Sequence, residues 1–311
     1  MTQEMTALKT AIIERFGTPC AVIDLDLVAR NIVTAQDRCD AVGLANRPHI
    51  KTHKSPVLAN LQIKAGARGI TCQKLGEAEV MANAGITDII IATNLLGAAR
   101  SGRLAKLQRR LPLKVCADNT VSLSAYSQAA AQAGRPMDVL IECETGQKRA
   151  GVETPKEALT LAKVIRDDPH LNFAGLLFYP SLDSWSQTQV FFDHTAAGLS
   201  DLGLSAKIVS TGGTPNFSHI GSLKGATEHR AGTCIFNDRM MIKAGVATLE
   251  DCAFQVFTSV VSRAGSERGI LDAGSKTLTS DSGGLDGFGL ILEHPKARIH
   301  KFAEEHGFLD L

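Results

Sequence analysis

Asn46–Ser55 reads NRPHIKTHKS. It places Arg47, Lys51 and Lys54, with the imidazoles of His49 and His53, around one proline. The whole chain of 311 residues has a formal net charge of only +1. So basic a stretch in a nearly neutral protein reads as a local site. A general binder of nucleic acid or of acidic membrane surfaces is excluded. The core of the stretch, PHIKT, reads as a short strand, and segments with helical apolar spacing lie on both sides of it.

Working outward, the same unit recurs. RGITC, DIIIAT, LKVCA, MDVLIEC, FAGLLFY, AKIVST and ATEHRAGTCIF follow PHIKT as short strand candidates. Amphipathic helical segments such as GEAEVMANAG, TVSLSAYSQAAAQAG and PKEALTLAKVIRD fall between most of them. Alternating strand and helix calls for parallel pairing with right-handed crossovers. Eight such units over roughly 200 residues predict an α/β fold, a (β/α)8 TIM-type barrel, with a doubly wound open sheet as the rival. CAVIDLD precedes the eight and has to pair elsewhere. After about residue 240 the rhythm changes to short alternating strands with Gly and Ser turns, as in CAFQVFTSVVSRAGSERGILDAGSK. The expected organisation is a barrel over 27–240, with 1–26 and 241–311 forming a β-rich domain that is incomplete at its C-terminal end.

Seven cysteines, at 20, 39, 72, 116, 143, 234 and 252, form no CxxC pair, and several sit in apolar runs. They read as reduced thiols of a cytoplasmic protein, not as a thiolate zinc site. The N-terminus lacks the layout of a signal peptide, and no stretch has the apolar length of a membrane helix.

In a barrel, chemistry collects at the C-terminal ends of the strands. Lys51 ends the first. An amine there can be desolvated, which favours its neutral, nucleophilic form and suits Schiff-base chemistry; a salt-bridged surface lysine is the alternative. IECETGQKRAGV follows the fifth strand, and Tyr179 ends the sixth. STGGTP (Ser210–Pro215) follows the seventh, where glycines let amides approach a phosphate. A plain Gly-rich turn would have the same letters. RAGT (Arg230–Thr233) on the eighth could add two amides. His49 and His53 would share the Lys51 face of an extended strand as candidate bases, leaving Arg47 and Lys54 off that face and solvated.

TPCAVIDLDLVARNI, RPHIKTHKS, GITCQKLGEAEVM, IECETGQKRAGV, STGGTP, HRAGT and LDAGSK together resemble the D-threonine aldolase and D-serine dehydratase group. These are alanine racemase-like, fold-type III enzymes that use pyridoxal 5′-phosphate (PLP). The resemblance implies a PLP barrel with a C-terminal β-domain, a small D-amino-acid substrate and a homodimer. It makes Lys51 the Schiff-base lysine. Thr211, Gly212, Gly213 and Thr214 would cradle the phosphate, with Gly232 and Thr233 adding donors. Arg149 would meet the phenolate oxygen, Tyr179 the ring and Arg230 the pyridine nitrogen. The implied reaction is retro-aldol cleavage of a D-β-hydroxy-α-amino acid to glycine and an aldehyde. Dehydration of D-serine or 3-hydroxy-D-aspartate stays open, as does a non-catalytic PLP-binding role. Two departures stand out. Cys234 occupies a position where relatives often have Tyr. A His-x-Asp or His-x-Cys pair for the divalent metal expected of the family (Mn2+ or Zn2+) is not found, as though the chain stopped short of it; His306 lies in a segment that precedes that pair and is not counted as a ligand.

Overall fold

Short apolar runs become strands, and the amphipathic segments between them become helices. The computed structural model describes residues 3–263 and 265–311. In chain order the elements are α1 (Gln3–Phe16), β1 (Cys20–Ile23), α2 (Leu25–Asp40), β2 (Ala45–Asn46), α3 (Pro56–Lys64), β3 (Ile70–Cys72), α4 (Leu75–Asn83) and β4 (Ile89–Ile91). Next come α5 (Ala98–Arg110), β5 (Lys114–Ala117), α6 (Thr120–Ala133), β6 (Met137–Cys143), α7 (Pro155–Asp167), β7 (Leu171–Phe178), α8 (Trp185–Asp201), β8 (Ile208–Thr211) and β9 (Glu228–His229). The last are α9 (Arg239–Lys243), β10 (Phe254–Phe257), β11 (Val260–Ser262), β12 (Arg268–Leu271), β13 (Arg298–Phe302) and β14 (Gly307–Asp310). They divide into two units, Ala29–Ile235 and the residues up to Val28 with Phe236–Leu311.

The larger unit is an eight-stranded parallel sheet in the order β2-β9-β8-β7-β6-β5-β4-β3. It closes on itself where the Arg68 amide donates to Asn46 O (2.9 Å) and the Thr71 amide to Pro48 O (2.8 Å), beside a parallel bridge between His49 and Thr71. The expected (β/α)8 barrel is the observed fold. Local chemistry stops and starts its helices. Ser55 caps α3 ahead of Pro56, and Asn119 caps α6, which ends on Gly134 at φ 70°. Thr154 and Glu157 form a reciprocal capping box on α7, and each such cap is worth about 1 kcal/mol. One apolar layer packs strands against helices, with Ile70, Ile89, Ile91, Val115 and Ile141 among its fully buried members. A second, smaller cluster of Ile90, Cys116, Leu140, Ala174, Leu177 and Ile208 fills the barrel interior. The two sets fall on alternate residues because strand side chains alternate faces.

Two strands are shorter than the sequence predicts. β2 ends at Asn46, ahead of PHIKT, which adds only the single bridge at His49 before Ile50–Thr52 coil into one 3-10 turn. In ATEHRAGTCIF only Glu228–His229 stay extended before the 3-10 turn Thr233–Ile235.

In the other unit β1 pairs antiparallel with β10, so the early strand does find a partner outside the barrel. β11-β12-β14-β13 form a separate antiparallel sheet over Leu271, Ile299 and Leu309. Asp272 staples this unit, accepting from Thr18 Oγ1, from Thr258 Oγ1 (2.6 Å) and from the Ser259 amide (2.9 Å). No described helix is long and apolar enough to cross a membrane.

Candidate active site

The barrel interior is stacked in three layers. At the base, Arg47 has no exposed surface; its Nε lies 2.7 Å from Glu228 Oε2 and its Nη1 2.8 Å from Asp88 Oδ1. Lys114 Nζ joins Asp88 at 2.9 Å. Burial alone would lower the Arg47 pKa, but Glu228 and Asp88 together outweigh it and raise it. Arg47 is therefore not solvated, contrary to the sequence expectation. The strand carries it inward, where two carboxylates wait. Above lies the apolar plug of Ile90, Cys116, Leu140 and their neighbours. Above the plug opens a polar cup.

Lys51 stands in that cup on the 3-10 turn. His49 caps the turn: its Nδ1 accepts from the Lys51 amide at 3.3 Å. A nitrogen that accepts there carries no proton, so Nε2 is the protonated one and donates to Gln73 Oε1 at 3.2 Å. Gln73 in turn donates to Ala92 O at 3.1 Å. Burial, then the charges of Lys51 and Arg230, push the His49 pKa down to about 3. His53 does not flank the lysine. Its Nδ1 accepts from the Ser55 amide (3.0 Å) and its Nε2 faces Gln62 Oε1 on α3 (3.2 Å). The predicted shared face needs a period of two, and a 3-10 turn has a period of three. Desolvation first, then Arg149 and Arg230, lower the Lys51 pKa. The lysine side chain is open to water at the mouth of the cup, which screens part of that effect.

Arg230 is nearly fully buried, at 6% exposure. Its Nη1 donates to Ser210 Oγ (2.6 Å) and its Nη2 to Phe178 O (2.8 Å). The Ser210 hydroxyl in turn donates to Glu228 Oε1 (2.6 Å), linking the cup to the ion pairs of the base. Burial lowers the Arg230 pKa despite the carboxylates nearby. Arg149 lies over the Tyr179 ring, 5.1 Å from its centroid, and 3.8 Å from Glu142 Oε1. Burial raises the Glu142 pKa, with Arg149 and Arg230 opposing. Glu142 and Glu228 carry no motif that singles them out in the sequence, whereas Gln73 is legible as a rim residue at the end of the second strand. Alternation held the signal for Glu142, two residues beyond the inward-facing Leu140 on the same strand.

The glycine turn closes one wall. Gly212 has φ 92°, and a Cβ on it would lie 1.9 Å from His229 Cε1. A Cβ on Gly213 would meet Tyr179 Cε2 at 2.4 Å, and one on Gly232 would meet His49 O at 2.6 Å. These contacts bring Gly213 against Tyr179 and Gly232 against His49. Among the described residues, no turn or loop backbone bond uses the amides of Gly213, Gly232 or Thr233 as donors. Thr214 is buried and its Oγ1 accepts from the Cys234 amide (3.0 Å), while Thr211 Oγ1 turns to Glu228 O (3.4 Å). Open amides, a bare approach over glycine, one amine and two guanidiniums form a donor set that fits the phosphate, aldehyde and phenolate of PLP. Among the described residues, no group of three or more His, Cys, Asp or Glu is arranged to hold a metal ion.

The chain matches the family of the alanine racemase N-terminal domain over residues 23–240 and that of the putative serine dehydratase domain over 253–311. It is 35% identical to a D-threonine aldolase of Arthrobacter sp over 307 residues, covering 94% of this chain and 80% of the relative. The chain belongs to the alanine racemase-like D-threonine aldolase and D-serine dehydratase family. Members of this family are PLP-dependent lyases, and this chain is an enzyme of that class. A D-threo-3-hydroxyaspartate dehydratase of Delftia sp. is also 35% identical, over 280 residues, covering 86% of this chain and 73% of the relative. Among solved structures, the D-threonine aldolase from Filomicrobium marinum superposes with a TM-score of 0.86 at 31% identity, covering 94% of this chain and 82% of that one.

Proposed function

We propose that this family member is an aldolase, cleaving the Cα–Cβ bond of D-β-hydroxy-α-amino acids such as D-threonine to give glycine and an aldehyde. The observation that carries the reading is Lys51, an amine held by a tight turn in a polar cup, with its pKa lowered by enclosure, Arg149 and Arg230. In this reading Lys51 holds the PLP aldehyde. Gly212, Gly213, Thr214, Gly232 and Thr233 hold its phosphate, with Thr211 behind them. Arg149 would meet the phenolate oxygen, Tyr179 would support the ring and Arg230 would face the pyridine nitrogen. When bound, PLP supplies an electron sink for charge left on Cα.

The remaining work falls to the chain. Arg230 stays protonated and is held by Ser210 and Phe178 O, so that beside a pyridine nitrogen it would donate and leave that nitrogen unprotonated. Arg149 offsets the phenolate charge. His49 has its acceptor nitrogen occupied by the Lys51 amide, so its part is to place Lys51. His53 has the same kind of engagement with Ser55 and stands behind the turn. For a divalent metal such as Mn2+ or Zn2+ the described residues do not supply the expected ligand set.

Dehydration is the second reading, favoured by the equal identity to the Delftia dehydratase. Purified protein with PLP, Mn2+ and D-threonine separates the readings. Glycine with acetaldehyde is the expected result; 2-oxobutanoate would make it a dehydratase. A yellow adduct with neither product would leave PLP binding alone. Lys51→Ala is expected to abolish the adduct and the activity, and an adduct that persists in that variant would remove Lys51 from its role. We also place the protein in the cytoplasm as a homodimer. The seven free thiols support a reducing compartment, and light scattering on the eluted protein tests the dimer.

A further inference from the structure

His229 lies beneath the glycine turn and has no part in the chemistry above. It is fully buried on β9, between Glu228 and Arg230. Its ring stacks on Phe217 with centroids 5.6 Å apart and planes 25° apart. Its Nε2 lies 3.2 Å from Gly213 O. A carbonyl only accepts, so Nε2 carries the proton and Nδ1 is bare. That Nδ1 is buried and has no hydrogen-bond partner. Burial keeps the ring neutral, with its pKa pushed down to about 4. A phenylalanine would fill the same space without an unpaired buried nitrogen, so packing alone gives no reason for histidine here.

The bond to Gly213 O gives one. That carbonyl belongs to the same peptide unit as the Thr214 N–H. It also accepts from the Asn216 amide at 3.0 Å. Two donors on one carbonyl fix the plane of the peptide and polarise it, which makes its N–H a better donor. Gly212 completes the fit, because a side chain there would collide with the His229 ring.

We propose that His229 is a positioning residue for anion binding, one that orients and polarises the Gly213–Thr214 peptide for a phosphate group. The proposal rests on the reading of the glycine turn as the PLP phosphate cradle. Its test is the ratio of affinities of the cofactor-free protein for PLP and for pyridoxal, which lacks the phosphate. The wild type is expected to prefer PLP. His229→Phe keeps the ring and its stack but removes the donor, and His229→Leu removes the donor should the Phe ring not fit. In either variant the PLP:pyridoxal preference is expected to fall about tenfold, the worth of one good hydrogen bond to a charged system. Pyridoxal affinity and the unfolding temperature of the cofactor-free Phe variant are expected to hold. An unchanged ratio, or equal loss for both ligands, would reduce His229 to packing and overturn the proposal while leaving the cradle intact. A wild type that binds both ligands equally would instead overturn the cradle reading, and this proposal with it.

Discussion

Arg47 and Arg230 are both buried inside one barrel, yet they solve opposite problems. Arg47, at the base, meets two carboxylates at 2.7 and 2.8 Å, and its pKa rises. Arg230, in the cup, meets a serine hydroxyl and a carbonyl, and its pKa falls. The base spends its cation on holding strands together. The cup keeps its cation incompletely neutralised, a surplus that an anionic group can satisfy. Ser210 and Glu228 join the two layers, so the reactive layer rests on a fully paired one.

Removing Arg47 should do the most harm to the fold. Arg47→Met strands Glu228 in the interior without a counter-ion, while the part-exposed Asp88 keeps Lys114, and a broken buried pair of this kind costs about 3–5 kcal/mol. Urea unfolding of the cofactor-free protein measures it, and a cost under about 1 kcal/mol would erase the contrast between the layers. Arg230→Met should reverse the pattern. It leaves two neutral acceptors unpaired, worth about 1–2 kcal/mol in the same assay. Activity should fall on the order of a hundredfold, since a preorganised charge is lost where the reaction builds charge. A variant with full activity and a large stability loss would place Arg230 with the base.

The third test is pH. His49 and His229 have folded pKa values near 3 and 4, below the ordinary value of 6.5. Below pH 6.5 the unfolded chain therefore binds protons that the folded chain refuses. The contribution of these two imidazoles should be level above about pH 7 and fall as pH drops toward 4, by at most about 1.4 kcal/mol per pH unit for each. Unfolding temperatures across that range check the slope, and His229→Phe should remove one proton from it. The smallest effect is expected from Glu142→Gln. Its partner Arg149 is largely exposed, and its own raised pKa means that ionisation costs stability in the fold. The unfolding temperature at pH 7 should hold or rise slightly, with a change under about 1 kcal/mol. A clear loss would show that the Arg149 pair, too, is structural.

Much of the site could be read from letters. Lys51 at a strand end, the glycines of STGGTP and the RAGT segment stand where the barrel gathers them. The failures have one cause. Arg47 finds Glu228 across 181 positions and Asp88 across 41, and no local pattern reports such partners. His53 is misplaced by the sequence reading because the strand is carried through Ile50–Thr52, which instead form a turn capped by His49. His229 went unnoticed because its role is a single bond to a turn on the neighbouring strand.

The sequence by itself determined the alternation of strand and helix, the count of eight, the separate pairing of CAVIDLD and the family. Periodicity, turn residues and motif order are properties of neighbours along the chain. Tertiary structure decided which cations are neutralised, which imidazole nitrogen carries a proton and which way each side chain near Lys51 faces. Those depend on burial and on groups brought in from other strands, because the energy of a buried charge is set by what lies within a few ångströms of it in space.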